Sequence, residues 1–120
     1  MRKLLLICLF ITQFTYAAII PDQYWNLNLS REQIYTLNMI GDKYERAIRY
    51  QESIMINLSR SVTALNNIKN KTPEQLQSLS LSMEGLSLAN DRRGILIMQK
   101  NAEMQKYLTP DQLNKLYQYR

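Results

Sequence analysis

Ten positions, Ile34, Leu37, Gly41, Tyr44, Ile48, Gln51, Met55, Leu58, Val62 and Leu65, follow one another at alternating three- and four-residue intervals. That spacing keeps one face of an α-helix apolar for more than four heptads, as in a coiled-coil seam. The pattern occupies Ser30 to Asn70, and a second helical pattern runs from Thr72 to Leu108 with almost nothing between them. At 1.5 Å per residue, each would extend on the order of 55–60 Å. A helix of that length needs a partner along its whole seam, and the other segment is the nearest one. The expected fold is all-α: a long antiparallel helical hairpin with a short C-terminal helix.

The helix starts are written three times in similar letters. Leu29-Ser30-Arg31-Glu32-Gln33, Lys71-Thr72-Pro73-Glu74-Gln75 and Leu108-Thr109-Pro110-Asp111-Gln112 each place a hydroxyl residue at N-cap and a glutamine three positions later. This is the capping box, in which the hydroxyl accepts an orphan N–H near N3 and the glutamine reaches back to the N-cap N–H. Pro73 and Pro110 fall at N1, where a missing N–H costs nothing. Acidic residues at N2 suit the positive end of the helix dipole. Leu29 and Leu108 stand where they can staple onto Ile34 and Leu113, whereas Lys71 departs from that pattern. The N-caps of the two long helices and the short one are therefore Ser30, Thr72 and Thr109.

Residues 1–18 read as a secretory signal peptide. Arg2 and Lys3 precede an apolar run from Leu4 to Phe14, and Thr15-Tyr16-Ala17-Ala18 offers small-residue cleavage points. The run is short of the roughly 20 residues a membrane span requires. Cleavage would leave 19–120 as a single helical domain. The formal charge would fall from +5 to +3, and the sole cysteine, Cys8, would be lost. Disulfides, thiol nucleophiles and thiolate metal sites go with it. The chain has no histidine, so the usual general bases and zinc ligands are missing as well. Glu45 and Glu52, seven residues apart, read as surface carboxylates rather than a catalytic pair. These features describe a protein that is not an enzyme and has no cofactor. Arg46, Arg49, Arg60, Lys69, Lys71, Arg92 and Arg93 are spread along the helices as a solvated face, without the compact basic and aromatic stripe of a nucleic-acid binder.

The second helix has two apolar series. Leu76, Leu79, Met83 and Leu86 open a seam that resumes at Ile97 and Met104. Leu81, Leu88, Ile95 and Ala102 recur every seven residues on another face, with Met98 nearby. One contact surface cannot hide both, so the second face is expected to serve a homodimer, apolar polypeptide, or both. Methionines 39, 55, 83, 98 and 104 provide adaptable side chains, and thioether ligation of a soft metal remains an alternative use for them. Pro21 to Asn28, with Trp25, is expected to be extended and to lay the indole over one end of the hairpin.

The first and last pentapeptides resemble the paired LTxxQ motifs of the Spy/CpxP family of periplasmic proteins, carried here by Leu29, Ser30 and Gln33 and by Leu108, Thr109 and Gln112, with Ser in place of Thr in the first. The resemblance covers about residues 27–120. It implies a curved helical hairpin that pairs into a cradle-shaped homodimer. It also implies ATP-independent chaperoning or restraint of an envelope-stress sensor, with unfolded or partly folded proteins or a sensor domain as partners. Two other functions stay open: a structural or assembly coiled coil of the periplasm without chaperone activity, and a ligand or metal sensor.

Overall fold

The computed structural model describes residues 20–118. The signal-peptide reading of residues 1–18 lies outside them. A 3₁₀ helix, Asp22–Leu27, leads into α1, Arg31–Asn66; α2 spans Pro73–Gln105 and α3 Pro110–Gln118. Among the described residues there is no strand, and the all-α helical hairpin with a short C-terminal helix is the fold.

Each boundary has a local cause. Asn28 takes a left-handed conformation, φ 53°, and ends the 3₁₀ helix; asparagine tolerates this region better than most side chains. Asn66 closes α1, four residues short of Asn70. The Asn-rich exit and Thr72-Pro73 leave no route for the helix to continue. Lys71, which breaks the staple pattern, has another use: its Nζ donates to the Ile68 carbonyl at 2.9 Å. A cation there also suits the negative end of α1.

The chain divides into two compact units. One comprises the described residues up to Glu45 together with those from Gln99 onward, and the other is Arg46–Met98. The first holds the continuous apolar core: Ile20, Tyr24, Leu27, Leu37, Ile40, Met104, Leu108 and Leu116. Leu29, Ile34 and Leu113 pack against that core, so the staple residues join it. In the second unit, α1 and α2 run antiparallel through the 67–72 connection. They approach closely enough that a Cβ on Gly85 would lie 2.9 Å from a Leu58 methyl.

The segment before α1 differs from expectation. Its residues form a 3₁₀ helix, and the buried side chains are Tyr24 and Leu27. Trp25 is 54% exposed. Consecutive 3₁₀ residues are rotated by about 120°, so a helix that buries positions 24 and 27 turns position 25 outward.

Candidate functional site

Two features stand apart from ordinary core packing, a glutamine clasp in the first unit and the outer face of α2. The clasp grows out of the capping boxes. Gln33 N–H donates to Ser30 Oγ at 3.1 Å while Ser30 N–H donates to Gln33 Oε1 at 2.9 Å. The Thr72/Gln75 and Thr109/Gln112 pairs repeat this geometry, with 3.2 and 2.9 Å in each. All three glutamines therefore cap their own helices.

Gln33 and Gln112 also bind each other. Gln33 Nε2 donates to Gln112 Oε1 at 2.7 Å, and Gln112 Nε2 donates back to Gln33 Oε1 at 3.1 Å. The remaining amide hydrogens reach backbone carbonyls, from Gln33 to Tyr107 at 3.0 Å and from Gln112 to Leu27 at 3.1 Å. A glutamine amide offers two donors and two acceptor sites, and here both amides use all of them. Gln112 is accordingly buried without an unsatisfied group. Capping accounts for one bond per amide. The pairing joins the starts of α1 and α3, together with the two segments that precede them, in a single network. The recurring pentapeptide alone did not signal it, because Thr72 and Gln75 repeat the same cap in the other unit.

The second feature corrects the expected register of α2 in part, because Leu79, Leu86, Ile97 and Met104 are covered as expected. Leu76 and Met83, assigned to its seam, are 53% and 54% exposed. Within the second unit the side toward α1 is instead marked by the less exposed positions Gln75, Leu79, Ser82, Leu86, Ala89, Arg93 and Leu96, again at three- and four-residue steps. In the first unit the same spacing continues through Lys100 and Glu103. Hydrophobicity pointed elsewhere because much of this inner face is polar or small.

Its polar members have partners on α1. Arg93 Nε donates to Glu52 Oε1 at 3.0 Å, with both side chains about three-quarters covered. Glu103 accepts from Tyr44 Oη at 2.6 Å and from Lys43 Nζ at 3.3 Å. The Tyr44 hydrogen bond holds the Glu103 carboxyl below its ordinary value and raises the Tyr44 phenol. Lys100 is 6% exposed, and burial lowers its pKa while the nearby Glu45 carboxylate opposes the shift. Glu45 and Glu52 thus flank the helix pairing rather than forming a free surface pair.

The outer face is apolar. Leu81, Leu88 and Ile95 are 59%, 50% and 54% exposed and Met98 71%, with Ala102 exposed one heptad after Ile95. Residues seven apart recur on nearly one line of a helix, so these form a row turned away from the inner seam. Gly94, beside Ile95, has nothing within 4 Å of where a Cβ would stand.

Among the described residues no group of three or more His, Cys, Asp or Glu side chains converges as a metal site, and no helix is long and apolar enough to cross a membrane. A cleft of about 100 Å³ in the first unit is lined by Pro21, Gln23, Tyr24, Asn101, Gln105, Leu116 and Tyr117. The Tyr24 hydroxyl is enclosed with no partner at hydrogen-bonding geometry, and burial raises its pKa while the nearby Gln105 side chain opposes the shift. Comparison of the chain with family models, with curated proteins and with solved structures finds no match. The class of protein defined by the geometry is an all-α helical hairpin whose second long helix carries an unpaired apolar face.

Proposed function

We propose that this protein is a periplasmic, ATP-independent chaperone-like or envelope-stress adaptor protein that works as a homodimer and engages apolar polypeptide surfaces or a sensor domain. The observation that carries this reading is the row Leu81, Leu88, Ile95 and Met98, half or more exposed on a helix whose inner side is already engaged. A contiguous apolar row on a water-exposed helix favours contact with another polypeptide. The resemblance of the two pentapeptides to LTxxQ motifs adds the functional class, and the leader of residues 1–18 adds the compartment.

The test is suppression of aggregation by the purified chain lacking residues 1–18, using several unrelated unfolding clients and a control protein of similar charge. Protection is expected from the wild type and is expected to be lost in Leu81→Ser/Ile95→Ser. Equal behaviour of wild type and control would overturn the reading. It would favour the second one, a structural or assembly coiled coil, to which the three-four seam of α1 and its ion pairs with α2 are equally suited.

A further inference from the structure

We infer that Met98 is a reversible modification site: a peroxide oxidises its thioether to the sulfoxide, and the outer face of α2 then loses its hold on apolar ligands. The inference rests on the reading of that face as a protein-binding surface and adds how the binding is turned down.

The starting observation is where the methionines stand. Met98 is 71% exposed, more than any other large hydrophobic side chain among the described residues. It follows Ile95 by one turn of α2 and so continues the row of Leu81, Leu88 and Ile95. Gly94, one turn before Met98, brings no side chain to shelter it, and nothing lies within 4 Å of where a Cβ there would stand. The other methionines of the described residues lack either the exposure or the position. Met104 is fully buried and Met55 half-buried. Met39 and Met83 are as open as Ile95, but Met39 belongs to α1, and Met83 falls about 140° around the helix from Leu88. An open sulfur and membership of the row coincide at Met98.

No thiol in residues 20–118 competes for an oxidant, because the one cysteine is Cys8. A lone pair of the thioether attacks a peroxide oxygen. The S–O bond forms as the O–O bond breaks, sulfur gives up two electrons, and the released hydroxide takes the proton of the new S–OH group and departs as water. The product is a polar, chiral group where a flexible apolar one stood. Pressed against an apolar ligand that offers it no hydrogen bond, the sulfoxide costs what an unpaired polar group costs, about tenfold in affinity. Methionine sulfoxide reductases return the thioether, so the change can be undone.

The test treats the purified chain lacking residues 1–18 with graded hydrogen peroxide and maps its peptides by mass. An apolar fluorescent dye reports the outer face, with Leu88→Asp setting the dye bound elsewhere, and aggregation of unfolding clients reports function. Met98 should gain its oxygen first, about tenfold faster than Met104. At the dose that converts Met98, helicity should hold while dye affinity falls about tenfold, and the reductases should restore it. Met98→Leu should keep its dye binding through the same treatment. Conversion of Met98 no faster than that of Met104 overturns the inference. So does undiminished dye binding by the oxidised wild type, an equal loss in oxidised Met98→Leu, or dye binding by the untreated wild type no greater than that of Leu88→Asp. If the untreated chain fails to protect clients, the proposed function falls, and the dye still decides the role of Met98. Client protection in a chain whose dye binding ignores the oxidation of Met98 leaves the proposed function standing and removes the modification.

Discussion

Gln33 and Gln112 each do two things with one amide, and their energetics should reveal it. Removing either one loses the return bond from an N-cap N–H and strands donors and acceptors of the other, one of which is buried. Gln33→Ala and Gln112→Ala should each cost about 1–3 kcal/mol. The double variant should cost less than their sum, with a coupling of about 0.5–3 kcal/mol in a double-mutant cycle by urea denaturation. Gln75, which caps α2 by the same geometry, should couple to neither; strict additivity between Gln33 and Gln112 would contradict the clasp. Glu103 supplies a second residue-scale expectation. Its folded-state pKa lies below the ordinary 4.5 because Tyr44 and Lys43 donate to it. Its contribution to stability is therefore fully present above that ordinary value and is lost as pH falls through the depressed one. Tyr44→Phe should narrow the difference in urea midpoint between pH 7 and acid, and an unchanged difference would show that the hydrogen bond does not tune this carboxyl.

At the scale of the element, α1 follows its spacing closely and α2 only in part, since Leu79, Leu86, Ile97 and Met104 of its expected seam are covered while Leu76 and Met83 are not. Every position of the Ile34 to Leu65 seam is buried or partly buried. On α2, by contrast, two apolar series compete, and hydrophobicity alone favours a register in which Leu76 and Met83 face inward. The structure turns them out because Arg93 and Glu103 meet oppositely charged groups on α1, and because Gly85 admits the Leu58 side chain. Leu86, on the inner side, and Met83, on the outer, are therefore a direct comparison. In the monomeric chain Leu86→Ala should cost about 2 kcal/mol, toward the low end of the range for a core truncation because the site is only partly buried. Met83→Ala should stay within about 0.5 kcal/mol, as surface substitutions usually do. Thermal or urea melts at high dilution would measure both, and the reverse order would restore the register expected from hydrophobicity.

Across the whole molecule, local chemistry and long-range packing divided the work. Residues close together in the chain set the helices, the N-caps Ser30, Thr72 and Thr109, the staples at Leu29 and Leu108 and the seam of α1. Each is a property of residues within a few positions of one another, where backbone geometry leaves little choice. The exposure of Leu81, Leu88 and Ile95 was also legible, because one helix cannot bury two apolar series against one neighbour. Tertiary structure decided the partners. It paired Gln33 with Gln112, 79 residues apart in the chain, put Glu52 beside Arg93, and folded Asp22–Leu27 so that Tyr24 rather than Trp25 entered the core. It also concentrated the continuous core in the unit formed by the two ends of the described chain. Such choices depend on which side chains meet after the chain has turned back on itself, and hydrogen bonds and ion pairs formed there can outweigh a purely hydrophobic register. Periodicity along one strand of sequence carries no record of the residue that will stand opposite, so the inner face of α2 had to be read from the folded molecule.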